Sequence, residues 1–561
     1  MSRSLRRVLT FATGSLVVMA AGPALTAVQA ANQQTAFGDI NHVVVIYEEN
    51  HSFDNLYGAW EGVNGRANAT NSSQVAQDGS TYGCLLQNDV NLTSPPLSPD
   101  CSNTATLLTH FFNQPFSIEQ FIPATAKTCP APGTSFSYPH GVPADTPGAL
   151  AGGCTEDIVH RFYQEQYQLN NGQQNRYVTG SDAVGLAMGY YETTALPIYQ
   201  YLHTDGAPHY AIADDFFQGA FGGSFLNHQW LIAAQAPLYQ GVAASRHSVV
   251  DSNGMPRNDY PLYKTTATVN DGAITQSCGL TANPNVACGD YAVNTIQPTS
   301  QPTAAVKATD FKLPTLHSSN IGDNMTNAGV SWTWYSGGWD NAAGNIGGPG
   351  WTQMGTGSCT DAESFPNPTY PYCPNKVFQF HHQPFNYYAN YVEGGTGRNH
   401  LQDEKAFSNL VGSSTQNCKL NQVSFVKPIG LENEHPGYTS ETAGSNHLIA
   451  LLKAINGSAC RKDTMVVVTY DEFGGQWDHV APPGQGGTAG PHDKWGPGTR
   501  IPALILAPRL RGDFVVDHTQ YDTTSILATI EHRWGVAALG PRDGAVNDLS
   551  NVFNAKSPFD R

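Results

Sequence analysis

Positive charge is scarce in this chain: 28 Lys and Arg stand against 45 Asp and Glu, a formal net charge of −17 over 561 residues. No long basic run offsets that balance. A surface of this sign repels a polyphosphate backbone and argues against nucleic acid as a partner. Charge of either sign is sparse, at 13% of residues, whereas 40% are hydrophobic. That combination excludes a disordered chain and suits a large globular core. Beyond the N-terminal segment, no run reaches the roughly 18 to 20 apolar residues that a spanning helix needs. A mature chain without a transmembrane span is therefore expected. The cysteines lack the close paired spacing of a zinc site, and no internal repeat is visible.

The N-terminus has an export pattern. Arg3, Arg6 and Arg7 form a basic start, an apolar run follows from Val8 to about Ala21, and Val28-Gln29-Ala30 ends it as a signal-peptidase site. Residues 1–30 thus read as a signal peptide. The Arg6-Arg7 pair fits the twin-arginine route as well as the general secretory one, and the product would be periplasmic or secreted. The 10 cysteines are an even number, as a disulfide framework in an exported chain requires. Sequence neighbours suggest the pairs Cys84–Cys101, Cys129–Cys154, Cys278–Cys288, Cys359–Cys373 and Cys418–Cys460. Length alone allows about two to four domains. The stretches from about Ala67 to Pro147 and Gly241 to Gly350, rich in small and polar residues, instead read as loop insertions around one catalytic domain, residues 31–561.

Regular structure is legible elsewhere. Val43–Tyr47, Met465–Tyr470 and Pro502–Ala507 are continuous apolar runs that predict buried strands. Asn446–Ile455 has helical spacing. Asp522 can cap a final helix that ends near Gly535. Continuous apolar strands alternating with helices predict an α/β/α sandwich with a central, mostly parallel sheet.

Two of these strands end in acid. Glu49 and Asn50 follow the first almost directly; Asp471 and Glu472 follow the second. Ligand sites in open α/β sheets gather at the carboxyl ends of strands. If the two strands are neighbours, three carboxylates and an amide oxygen meet and repel one another unless a cation joins them. Such an oxygen set suits a hard or borderline divalent metal. Gly474-Gly475 then allows a sharp turn close to a ligand. Either motif alone is ordinarily a turn or a cap; their shared position makes the argument. A third element, GGSFLNH, places Ser224 before a helix predicted to begin near Phe225 or Leu226. There it is either an N-cap or a nucleophile favoured by the helix dipole and a metal contact.

Together, Glu49-Asn50-His51-Ser52-Phe53-Asp54 with Gly58, Gly223-Ser224 with Asn227, and Asp471-Glu472-x-Gly-Gly-x-x-Asp478-His479-Val480-x-Pro-Pro resemble the bacterial phosphoesterase family of acid phosphatases and phospholipases C. The match runs from about Asp39 to Gly535. The resemblance implies an alkaline phosphatase-like fold and one divalent metal ion held by Glu49, Asn50, Ser224, Asp471 and Glu472. It makes Ser224 the phosphate-accepting nucleophile. The phospholipase branch typically has threonine there, so the serine is more similar to the acid phosphatase branch. His51 departs from the family's usual arginine, and Phe473 from a polar residue often found there. By the same matching, His160, His381, His382 and His435 resemble the family's phosphate-pocket histidines. On chemistry alone each would be a surface histidine.

The implied reaction is hydrolysis of a small phosphate ester through phosphoserine, with a histidine, His381 or His382, protonating the leaving alcohol. The first rival is a phospholipase C acting on a phospholipid head group, which needs a pocket for a choline-like cation, often aromatic. The second is a non-catalytic exported binding protein on a phosphatase scaffold, which predicts a missing ligand or nucleophile. Every matched position is filled. A sulfatase-like activity lacks its Cys/Ser-x-Pro-x-Arg context around Ser224.

Overall fold

A computed structural model describes residues 37–86, 110–119, 122–125, 128–129, 150–151, 157–258, 260–279, 286–303, 311–351, 378–436 and 439–559. Its centre is an eight-stranded sheet. In chain order the strands are β1 (His42–Glu48), β2 (Tyr210–Ala213), β3 (Trp332–Ser336), β4 (Leu401–Asp403), β5 (Val423–Lys427), β6 (Thr464–Tyr470), β7 (Ala503–Leu506) and β8 (Phe514–Asp517). They lie side by side in the order β4-β3-β5-β1-β6-β7-β2-β8. Every pairing is parallel except the two made by β7. The mostly parallel sheet read from the sequence is present, and the run PALILA supplies its antiparallel strand.

The interior strands are apolar because both of their faces are covered. Val43, Val44, Val45 and Ile46 of β1 have no exposed surface, and burying each such side chain contributes about 1.5–3 kcal/mol. The helices that matter most are α1 (Phe162–Leu169), α2 (Ser224–Ala233), α3 (Glu404–Ser413), α4 (Glu441–Gly457) and α5 (Thr524–Trp534). Helices α2 and α5 pack together, as do α3 and α4. Side chains alternate along a strand, so Tyr47 and Glu48 point to opposite faces. The Tyr47 ring meets His228 of α2, whereas Tyr470, the register partner of Glu48, bonds Glu434 in the loop before α4. The two helix pairs thus cover opposite faces.

Several expectations need correction. The stretch Gly241–Gly350 is not all loop: it contains β3, whose residues are all buried in the sheet. Helix α5 has Thr523 at its N-cap position without a capping side-chain bond, and the Asp522 carboxylate accepts from the Thr524 amide at 2.6 Å, in the capping role expected of it. Of the suggested disulfides, Cys278–Cys288 and Cys418–Cys460 are present. Cys84 is also disulfide-bonded. Cys101, Cys154, Cys359, Cys373 and the Cys129 side chain lie outside the described residues, as does the segment 1–30. Among the described residues no helix is long and apolar enough to cross a membrane.

One buried acid makes stability depend on pH. Burial first, and then the neighbouring Asp543 carboxylate, push the Glu531 carboxyl on α5 up to about 9. The folded chain therefore keeps a proton that the unfolded chain, with a glutamate near about 4.3, releases. This contribution is complete below the unfolded value and is lost as pH rises through about 9. Glu531→Gln cannot lose that proton. Urea unfolding at pH 5 and pH 9 is expected to show a smaller loss of midpoint for the variant than for the wild-type chain; equal losses would contradict the assignment.

Candidate active site

Strands β1 and β6 are adjacent, with Glu48 opposite Tyr470. Their carboxyl ends therefore leave the sheet side by side, and the Asp471 amide donates to the Glu48 carbonyl at 3.1 Å. Glu49, Asn50, Asp471 and Glu472 are all fully buried there. Helix α2 begins at Ser224 itself, earlier than expected, with Gly223 at the N-cap position. Ser224 is thus the first helical residue rather than the cap. Its Oγ lies 3.3 Å from Glu49 Oε2, 3.4 Å from Asn50 Oδ1 and 3.4 Å from Glu472 Oε1. A hydroxyl has one proton to give. Three acceptors stand at long, nearly equal distances from the Oγ, more than its one proton can serve.

The electrostatics carry the same sign. Burial, then the Glu49 charge, raise the Asp471 carboxyl well above its ordinary range. Burial, then Asp471, do the same to Glu472. Glu49 moves the other way: burial would raise it, but the neighbouring His382 and Lys427 outweigh that and hold it well down. Asp471 Oδ2 is buried without a hydrogen bond. Carboxylates brought together at this expense suit a divalent cation, and the all-oxygen donor set is of the kind such ions take.

The backbone is shaped for the approach. Asn50 adopts a φ of 64° and Gly474 one of 64°. A Cβ on Gly474 would stand 2.2 Å from the Asn50 carbonyl oxygen, so only glycine lets the two acidic loops touch. On α1, Glu165 accepts from the Gly222 amide at 2.5 Å and from the Thr499 amide at 2.7 Å, holding the loop that presents Ser224. The motif residues Asp54, Asp478 and His479 form a clamp rather than part of the oxygen set. His479 Nδ1 lies 2.6 Å from Asp54 Oδ2. The buried Arg500 guanidinium contacts Asp478 at 3.1 Å and Asp54 at 3.2 Å. His51 is fully buried as well. Burial would lower its pKa, but Glu441 at 3.1 Å and Glu434 raise it to about 9.

The four expected histidines converge. His160 Nε2 lies 3.4 Å from Glu472 Oε1, and His435 Nε2 lies 3.7 Å from Glu49 Oε2. His382 Nε2 lies 2.8 Å from Glu49 Oε1. Ser224, His160, His381 and His435 line a cavity of about 310 Å³, together with Asp157, Asp182, Arg161, Arg257, Asn294 and Gln379. Phe225 is the aromatic among its described lining residues. Burial, before any neighbouring charge, lowers the pKa of His381, and that of His382 to about 4.

Two site residues escaped the sequence reading. His228 stacks on His382 with ring centroids 4.9 Å apart and lies 3.7 Å from Asp471 Oδ2. Its spacing of four from Ser224 on one helix face was an available signal. Lys427, at the end of β5, lies 2.5 Å from Glu49 Oε1; a lone lysine after an apolar run gives little notice of that.

A family model described as Phosphoesterase family matches residues 40–537. Phospholipase C B of Mycobacterium tuberculosis (strain H37Rv) is 32% identical over 169 residues, 26% of this chain and 32% of that protein. A non-hemolytic phospholipase C of Burkholderia pseudomallei is 28% identical over 277 residues, 43% of this chain and 36% of that one. A probable acid phosphatase of Kluyveromyces lactis is 26% identical over 178 residues, 31% of this chain and 36% of that one. These matches span about a third of the relatives' length. A solved alkaline phosphatase superfamily protein from Vibrio parahaemolyticus overlays with a TM-score of only 0.28 at 10% identity, covering 65% of this chain and 66% of that one.

Proposed function

The chain belongs to the phosphoesterase family, and from that premise we propose that it is an exported, metal-dependent hydrolase of small phosphate monoesters working through a phosphoserine at Ser224. The observation that carries the reading is the position of Ser224 Oγ, equidistant within 0.1 Å from three ligand-type oxygens and facing the histidine-lined cavity. Glu49, Asn50, Ser224, Asp471 and Glu472 would hold one divalent ion. When bound, such an ion supplies positive charge that favours the serine alkoxide and offsets charge on phosphoryl oxygens.

The chain's own groups do the rest. Ser224 Oγ gives up its proton and forms a bond to phosphorus as the bond to the alcohol oxygen breaks; the alcohol leaves with one proton, so the transfer neither gains nor loses one overall. His382 is engaged with Glu49, so His381, which lines the cavity, is the better placed donor; the phosphate dianion opposes the burial that holds its pKa down. His160 and His435 hold phosphoryl oxygens. Water then attacks the phosphoserine and releases phosphate. The Cys278–Cys288 and Cys418–Cys460 bridges favour an oxidising compartment, consistent with residues 1–30 acting as a signal peptide ahead of a single catalytic domain, 31–561.

The second reading, a phospholipase C, is favoured by the names of two relatives. The cavity favours the monoester: Arg161, Arg257, His160, His381 and His435 line it beside the apolar Ile158, Val159 and Val293, and among its described lining residues Phe225 alone does not make an aromatic cage for a choline cation. The test is p-nitrophenyl phosphate beside p-nitrophenylphosphorylcholine from acidic to neutral pH. Monoester turnover that prefers acid is expected; preference for the choline diester would move the assignment to phospholipase C.

A further inference from the structure

The two carboxylate oxygens of Glu49 face different surroundings. Oε2 joins the oxygen set at 3.3 Å from Ser224. Oε1 lies 2.5 Å from Lys427 Nζ and 2.8 Å from His382 Nε2. Glu49, His228 and His382 offer ligand atoms within 4.8 Å of one another, all buried, and His382 meets Glu49 at Oε1. By composition that set suits a second divalent ion, because imidazole and carboxylate are common ligands for zinc and its neighbours.

Lys427 already stands there. Its side chain has no exposed surface, and Nζ donates to the Tyr47 carbonyl at 2.9 Å and the Glu48 carbonyl at 3.3 Å. These two carbonyls fix Nζ in place, and Glu49 Oε1 is the carboxylate oxygen with which it forms an ion pair. A metal bound to Oε1 at the usual distance of about 2.0–2.2 Å would press against that ammonium, between side chains with no exposed surface, where screening is weak. We propose that Lys427 is a built-in second cation: its ammonium occupies the place at Glu49 Oε1 that a second divalent ion would take and turns Oε2 toward Ser224. This rests on the reading of Glu49, Asn50, Ser224, Asp471 and Glu472 as ligands of one ion. Lys427 is then a positioning residue that acts through Glu49.

The test counts bound metal. The full chain is stripped with chelator and dialysed to equilibrium against Zn²⁺ or Mn²⁺, each alone, and metal per chain is measured by plasma emission. The wild-type chain and Lys427→Arg, which keeps the charge, are expected to hold one ion. Lys427→Gln and Lys427→Ala are expected to rise to two at saturating metal, and methylammonium should return Lys427→Ala to one. Lys427→Gln keeps a side chain of similar reach should the alanine variant fail to fold. Two ions in the wild-type chain, or one ion of unchanged affinity in Lys427→Gln, would overturn the proposal while leaving the first metal position intact. No bound ion in the wild-type chain would overturn both.

Discussion

Ser224→Ala is expected to lower kcat on p-nitrophenyl phosphate by about 10,000-fold or more, the scale on which loss of an enzyme's nucleophile is felt. The argument is geometric. Ser224 is the hydroxyl that the structure places among Glu49 Oε2, Asn50 Oδ1 and Glu472 Oε1 while it also lines the cavity. The variant should fold normally. Alanine is favourable in a helix, and the lost contacts are long ones to oxygens that crowd each other. Four of the five proposed ligands remain, so metal is expected to stay bound, though less tightly. Steady-state kinetics with metal analysis on the same preparation separates loss of the nucleophile from loss of the ion. Retention of turnover within about tenfold of wild type, with metal bound, would remove Ser224 from the mechanism.

Arg500→Leu is expected to be the most damaging substitution for stability, at about 3–5 kcal/mol, the range for breaking a buried ion pair by removing one partner. Arg500 has no exposed surface. It contacts Asp478 at 3.1 Å and Asp54 at 3.2 Å, and donates to the carbonyls of Asn64 and Asp214 at 2.6 and 2.7 Å. Leucine fills the space but leaves two buried carboxylates without their cation. Burial already raises Asp478 to about 6 against the opposing pull of Arg500. The clamp also ties the loop after β1 to the loop after β6, since the Asp54 amide donates to Asp478 at 3.0 Å and the His479 amide to Asp54 at 2.9 Å. Activity should therefore fall along with stability. Urea unfolding of the two proteins measures the effect; a difference below about 1 kcal/mol, typical of an exposed pair, would mean that the network is not what joins the loops.

What the sequence disclosed follows from how locally each feature is encoded. Strands β1 and β6 were legible because fully buried strands read as apolar runs. The acids at their ends were legible because the runs stop at them. Strand β3, Trp332–Ser336, was hidden in a stretch of glycine, asparagine and threonine, although tertiary packing buries all of it. The start of α2 at Ser224 was misplaced because Gly-Gly-Ser suggests a cap, while the chain uses Gly223 for that position. The resemblance supplied the histidines, and the structure gathers them. It did not supply Lys427, Glu165 or Arg500. Their roles depend on contacts across 378, 57 and 22 residues of sequence, to Glu49, Gly222 and Asp478 respectively, which no local pattern records.

The central claim is that Ser224 itself attacks phosphorus. The stereochemical course of hydrolysis of a phosphate monoester made chiral with oxygen isotopes tests this most directly. Each in-line displacement inverts the phosphorus, so transfer to Ser224 and then to water predicts net retention. Net inversion would mean that water attacks the substrate in a single step, and would contradict the phosphoserine mechanism.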